Sequence, residues 1–501
     1  MKRRQVVIVG AGASGLVAAI GAARQGAQVT VLEHKETPGR KILSTGNGRC
    51  NLTNLKMDGS CYRGSQPGFP MQVIGHFPVK AALEFFDGLG IVTRERSGYI
   101  YPYSDQASAV LDALLMEIRH LGIRIETGCN VRYIRREKGG GFLLETDHVD
   151  SSRSAAAVPG KSYRGDVVIL AAGSKAAPVT GSDGSGYGLA ASLGHRVIEP
   201  LPALVQLRCG GKIFKQVAGI RCEARVTILV EGVVEAEDIG ELQLTDYGIS
   251  GIPTFQVSRF AARALAGKKK VEAVVDFLPS RSREELKEWM DARRRHFPDR
   301  QCGELMNGVL QKKLSGALLR EAGIPVDKQV REVPAGSWRR FDGILKAFCV
   351  PVTAANPFEK AQVCCGGVDT REVHGDTMES KLVPGLYLAG ELLDVDGICG
   401  GYNLQWAWSS GYVAGSHAGA GAGSGSGDKD GRGGTKPEEE GKDSHGRSMA
   451  RSHVGTKLGA EDKRGHRRSA AGRRIGTEPG EEGKDSHRRS AAGRYREGGT
   501  R

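Results

Sequence analysis

Residues 6–9 form an unbroken apolar run, the pattern of a short strand buried on both faces of a parallel sheet. The run leads directly into Gly10-Ala11-Gly12-Ala13-Ser14-Gly15. Apolar positions then recur at helical spacing, at Leu16, Ala19, Ile20 and Ala23, until Gly26 stops the helix. Residues 28–32 make a second strand that closes on Glu33. Together they predict one complete strand–helix–strand unit.

Further along, the periodicity predicts helices over 76–95 and 105–121, joined by residues 99–103, and strands over 123–126 and 131–135. Residues 166–172 read as another buried strand, ending in Ala171-Ala172-Gly173-Ser174, where small side chains let a ligand approach the carboxyl edge of the sheet. The glycine-rich stretch 181–188 precedes a helix over 189–193. Without strand–helix–strand spacing or a following acid, it predicts a tight helix start beside a cofactor rather than a second nucleotide loop.

From 195 to 346 the pattern turns β-rich, as at 226–231 and 271–277, mixed with charged helical stretches such as 282–295. The first pattern resumes with strand-like segments at 362–368 and 385–391. A last helix, carrying Leu404, Trp406, Ala407, Trp408 and Val413, follows Gly400-Gly401-Tyr402-Asn403. The expected organisation is a dinucleotide-binding α/β domain split into 1–194 and 347–418, with a β-rich and helical cap inserted at 195–346. Residues 419–501 have internal repeats, glycine, serine and both charge signs but no apolar periodicity, so a disordered tail is expected.

The glycine spacing becomes specific through its context of strand before, helix and strand after, and acid at the tip. Gly10 allows the tight turn, Gly12 lets a pyrophosphate approach the backbone, and Gly15 lets the helix pack on the strand. Ala13 and Ser14 complete the phosphate loop, and Glu33 is placed to accept hydrogen bonds from a ribose with a free 2′-hydroxyl. Residues 39–54 bring Arg40, Lys41, Thr45, Gly46, Asn47, Gly48, Arg49, Cys50 and Asn51, a run of cations, glycines and donors suited to covering a diphosphate and reaching a flavin ring. An unliganded surface turn has a similar composition. Val131, Ala172, Gly173, Gly390, Glu391, Gly400, Gly401, Tyr402, Asn403 and Leu404 complete the expected FAD-binding set. The last five open a helix whose dipole would stabilise an anionic reduced flavin. No residue shows the spacing of a general acid; Tyr247, Tyr402 and Asn403 are candidates by position only.

At 501 residues the chain exceeds the usual reach of one core. The net charge is +14; residues 421–501 hold 19 Lys or Arg against 13 Asp or Glu, a net +6, leaving +8 for the rest. That bias suits anionic cofactors and does not predict specific nucleic-acid binding. Ten cysteines lie scattered without metal-ligand spacing, as expected of reduced thiols in a cytoplasmic protein, and the adjacent Cys364 and Cys365 read as small buried hydrophobes. No apolar stretch reaches the ~18 residues that span a bilayer.

Residues 5–54 and 356–415 resemble the BaiN-type flavoproteins, also called the aminoacetone-oxidase-like or YhiN family. The likeness is carried by 10–15, 39–54, 181–195, Gly248-Ile249-Ser250-Gly251, and the stretch from Ser380 through Gly390-Glu391 and Gly400-Gly401-Tyr402-Asn403 to Gly411. It implies one FAD in a glutathione-reductase-like domain, with an inserted domain containing a β-barrel and a helical part. This chain departs from the pattern at Asp246-Tyr247, at Ile252 before Pro253, and at Cys364-Cys365. The implied chemistry is hydride transfer at flavin N5 on a small organic substrate, with NAD(P)H as a transient co-substrate. An oxidase of small amines or ketones, and a flavin-bearing binding protein acting through its basic tail, are the alternatives.

Overall fold

Val6 to Val9 pair in parallel with residues 167–170 on one side and 29–32 on the other. Leu386–Leu388 and Arg124–Glu126 extend the sheet to five parallel strands in the order Leu386–Leu388, Val167–Leu170, Gln5–Val9, Gln28–Leu32, Arg124–Glu126. The inner strands are apolar on both faces because both faces are covered. The computed structural model describes residues 3–148 and 158–420, so the expected disordered tail lies, beyond residue 420, outside the described residues.

One cover is the helix Ala13–Arg24, which packs along the final helix Tyr402–Gly419. Small residues one turn apart make this contact. A Cβ on Gly411, Gly415 or Gly419 would fall 2.3, 2.1 or 2.5 Å from the backbone oxygens of Ser14, Ala18 and Ala22. The final helix is thereby held against the helix that begins at the glycine-rich loop.

The region expected as one helix over 76–95 differs. Two helices, Phe69–His76 and Val79–Gly88, flank Phe77-Pro78, because proline disfavours a helical conformation in the residue before it. Residues 93–96 then form a strand paired antiparallel with Tyr99–Pro102, so 99–103 is part of a hairpin and not a connector between helices. The helix expected at 189–193 begins earlier, as Ser185–Ser192, after Gly184 at φ 84°.

A second core surrounds a closed six-stranded barrel with strand order Leu207–Cys209, Gly248–Gly251, Val233–Thr245, Arg221–Val230, Val271–Asp276, Phe348–Ala355. Its last strand reaches Ala355, past the boundary expected at 346. The helices Arg283–His296, Lys312–Glu321 and Ala335–Lys346 close around it. Val197–Ala203 and Val363–Val368 pair antiparallel outside the barrel and join it to the parallel sheet. Cys364 and Cys365 are buried, free thiols in that ribbon. The helix Ile252–Ala266 packs on the barrel, and its Arg259 meets Asp396 of the sheet side: Nη2 donates to Oδ1 at 3.0 Å, and Nε lies 2.8 Å from Oδ2. Among the described residues no helix is long and apolar enough to cross a membrane.

Candidate functional site

A cavity of about 780 Å³ runs along the carboxyl edge of the parallel sheet, between it and the barrel junction. Its middle is lined by Gly10, Gly12, Ala13, Ser14, Arg40, Lys41, Thr45, Gly46, Asn47, Arg49, Ala172 and Gly173. Gly10 adopts φ +102°, and a Cβ there would lie 2.5 Å from the Ala171 carbonyl oxygen, whereas a Cβ on Gly12 would meet nothing within 4 Å. One glycine serves the turn; the other leaves the backbone open to the cavity. No side chain caps the helix that starts at Ala13. An uncapped helix start with its partial positive charge is a ready anion site. Gly15 does not line the cavity: a Cβ there would stand 1.9 Å from the Gly10 oxygen, so its role is close packing of helix on strand.

At one end lie Glu33, His34, Cys129, Asn130 and Val131. Both Glu33 carboxylate oxygens already accept backbone N–H groups, Oε2 from Ala11 and Oε1 from Lys35, each at 2.8 Å. A carboxylate offers about four acceptor sites, so capacity remains for a ribose hydroxyl. The Nε2 of His34 is buried without a hydrogen-bond partner among the described residues.

Of the expected cations, Arg40 and Arg49 line the cavity without a side-chain partner among the described residues. Lys41 differs. Its Nζ donates to Glu391 at 2.6 Å and to the Ala176 carbonyl at 3.3 Å, and Ser174 Oγ donates to the same Glu391 oxygen at 2.9 Å. Lys41 and Glu391 thus neutralise each other at the cavity wall. Cys50 is a correction: at φ 58° its side chain turns inward, and burial pushes its thiol up to about 12. Gly48 and Gly390 also lie outside the lining; Gly390 sits against Ser14 and is held by Ser410 and Trp406.

The other end is formed by Asn51, Tyr99, Tyr101, Leu204, Ile252, Phe255, Val363, Cys399, Gly400, Gly401, Asn403 and Leu404. With its amide assigned in the orientation that satisfies both ends, Asn51 donates to the carbonyls of Thr53 and Ile100 at 3.0 and 3.1 Å and accepts from the Gly401 N–H at 3.2 Å. Asn403 clasps Gly397 through both its N–H and its carbonyl, at 2.8 and 2.9 Å. These two amides fix the glycine turn in front of the final helix.

Two positional candidates for catalysis are corrected here. Tyr247 lies in the barrel, where its Oη accepts from Asn356 Nδ2 at 3.1 Å and its ring lies under Arg208, away from the cavity lining. Tyr402 is buried behind the loop, its carbonyl accepting from Tyr62 Oη at 2.8 Å, and burial pushes its own hydroxyl up. Reading by sequence missed Tyr99 and Tyr101, although the alternation Tyr99-Ile100-Tyr101-Pro102 carried the period-two signal of a strand. For Leu204, Ile252, Phe255 and Val363 no local signal existed.

The donor set fits an adenine dinucleotide: an open glycine backbone at a helix start, a carboxylate with spare acceptor capacity, an unpartnered imidazole nitrogen at that end, and two free guanidinium groups over the middle. The comparisons with known proteins agree. The chain is 46% identical over 416 residues, 83% of its length and 98% of the relative's, to a 3-dehydro-bile acid delta(4,6)-reductase of Clostridium scindens. It is 27% identical over 417 residues, 82% and 97% of the two lengths, to a ribosomal RNA dihydrouridine synthase of Escherichia coli. Among solved structures, a 3-ketosteroid-Δ4-(5α)-dehydrogenase from Rhodococcus jostii RHA1 aligns over 83% of this chain and 97% of that one, with 15% identity and a TM-score of 0.39. The two sequence relatives favour neither the small-amine oxidase nor the non-catalytic binding protein. Residues 4–417 match the family described as HI0933-like protein Rossmann domain, and the chain belongs to that family, as an FAD-dependent oxidoreductase.

Proposed function

We propose that the enzyme reduces a carbon–carbon double bond polarised by a neighbouring carbonyl, with NADH or NADPH as electron source. The observation that supports this is the far end of the cavity. There an apolar wall of Leu204, Ile252, Phe255 and Val363 shares the space with the side chains of Tyr99 and Tyr101, which suits a flat, mostly apolar molecule with a polar edge. The names of the two kinds of relative share this chemistry: a 3-dehydro bile acid unsaturated at positions 4 and 6 and the uracil of uridine both carry an alkene conjugated to a carbonyl. The greater identity to the bile-acid relative and the apolar wall favour the small-molecule substrate.

When bound, FAD supplies a hydride from N5 to the substrate and accepts one from the nicotinamide. The chain's own residues do the rest. The Gly10–Ser14 backbone and the helix start hold the diphosphate, Arg40 and Arg49 offset its charge, and Glu33 binds the ribose. Asn51 and Asn403 orient the Gly400-Gly401 turn, and the start of the final helix favours negative charge beside it. The apolar wall excludes water from the substrate's reacting carbons.

Anaerobic mixing of the purified yellow protein with NADH and NADPH tests the first half: one of them bleaches the flavin, and failure of both removes the nicotinamide. Reoxidation by a conjugated steroid ketone, but not by uridine-containing RNA, tests the second. A colourless protein that does not take up added FAD defeats the whole reading.

A further inference from the structure

Hydride addition to the β carbon of a conjugated carbonyl leaves electron density at the α carbon, and a proton must reach it. Tyr62, Tyr99 and Tyr402 stand around the turn of residues 397–401, and Tyr101 lines the cavity beyond it. Tyr62 is committed to the Tyr402 carbonyl, and Tyr402 lies edge-on to it with ring centroids 6.2 Å apart; neither lines the cavity. Tyr99 and Tyr101 do line it, and neither hydroxyl has a hydrogen-bond partner among the described residues. They sit at different depths. The ring of Tyr101 lies 3.7 Å from where a Cβ on Gly46 would be, towards the phosphate loop, while Tyr99 lies 2.7 Å from the corresponding point on Gly400. Only glycine at 400 leaves room for the Tyr99 ring against the turn. We propose that Tyr99 is the general acid of this enzyme, an assignment that rests on the conjugated-alkene reading above.

In the step, a hydride from the reduced flavin adds to the β carbon and the π electron pair moves to the α carbon. A new C–H bond forms there as the Oη–H bond of Tyr99 breaks, and solvent water returns a proton to the phenolate. Burial raises the affinity of the Tyr99 hydroxyl for its proton, so it is protonated and ready to donate at neutral pH. Cys399 also lines this end, and burial raises its thiol, which therefore holds its proton more tightly than a free one.

The test uses dithionite-reduced holoenzyme mixed anaerobically with 3-oxochol-4-enoic acid, with reoxidation followed by flavin absorbance. Tyr99→Phe should slow reoxidation by about 100-fold or more, within the range general acids contribute. Tyr103→Phe, on the exposed end of the same segment, should not. Two readouts need no turnover: flavin content per chain, and the Kd for the saturated 3-oxo acid, both expected to be unchanged in Tyr99→Phe. Reoxidation at the wild-type rate in Tyr99→Phe overturns the assignment. So does the same loss appearing instead in Tyr101→Phe or Cys399→Ala, or a Tyr99→Phe protein that loses flavin or ketone binding. If the wild-type protein is not reoxidised by the enone, the conjugated-alkene reading itself falls, and that outcome is visible before any variant is made.

Discussion

The two ends of the cavity are built by different means. The phosphate end is backbone: an open Gly12, a turn at Gly10 and an uncapped helix start, all within one strand–helix–strand unit. The far end is side chains brought from separate parts of the chain, with Tyr99 from a hairpin, Ile252 and Phe255 from the barrel's helix, and Asn403 from the final helix. Backbone geometry of the first kind recognises a group common to all dinucleotides. Side chains of the second kind are free to vary, and so they carry the choice of substrate. The difference predicts that damage to the phosphate end removes the cofactor, while damage to the far end changes chemistry and coupling between the two cores.

The largest effect is expected at the junction, where Arg259 and Asp396 are 9% and 4% exposed in their side chains. Removing one partner of a buried ion pair costs about 3–5 kcal/mol, so Arg259→Met should lower the denaturant midpoint strongly. Burial lifts the Asp396 carboxyl to about 6 even with Arg259 beside it. A raised acid contributes stability that is fully present below its unfolded value and is lost as the pH rises through the folded one. Without Arg259 the carboxyl is held protonated still higher, so the deficit of the variant should grow as the pH rises above about 6 and level off at a smaller value below it. A deficit independent of pH would mean that the pair matters for packing alone.

At the phosphate end the expected losses are smaller and appear in flavin binding. Glu33→Gln keeps one acceptor oxygen and strands the N–H of Ala11 or Lys35, at about 1–3 kcal/mol. Titration of apoprotein with FAD should show the Kd rising by about tenfold or more, since 1.4 kcal/mol is a factor of ten. Gly15→Ala places a methyl against the Gly10 carbonyl and should cost about 1–3 kcal/mol by overpacking. Its flavin content, read as flavin absorbance per chain, should fall. If Gly15→Ala binds FAD normally, the loop tolerates a wider helix–strand spacing than the distances imply.

The same contrast explains how much was legible beforehand. Residues 5–33 declare themselves because every constraint is local: the strand, the glycines, the helix period and the acid fall within one short window. The pairing of Lys41 could not be read, since its partner is Glu391, 350 positions away. Cys50 was misplaced because a single positive φ turned it from the cavity to the core. The hairpin bearing Tyr99 was obscured by extending one helical period across Phe77-Pro78, although the proline marked the break. Ile252 and Phe255 reach the cavity only because the barrel closes, and barrel closure is a property of six strands together.

The smallest expected effect tests whether the sheet body can be perturbed without touching either end. His195, buried, lies with Nδ1 3.0 Å from Glu372 Oε2 and Nε2 2.9 Å from Ser380 Oγ. That hydroxyl already accepts the N–H groups of Leu382 and Val383, so its own proton is directed at Nε2, and the ring must be neutral there. Burial lowers the His195 pKa from its ordinary value, against the opposing pull of Glu372. The unfolded chain therefore binds more protons than the native one as the pH falls below about 6.5. Stability from this site is fully present above that value and is lost as the pH falls towards the folded pKa. Denaturant midpoints of the wild-type protein should decline on that acid side, and His195→Gln should flatten the decline while flavin content stays constant. If flavin is lost with the same pH profile, the sheet body and the cavity are coupled more tightly than the separate construction of its two ends implies.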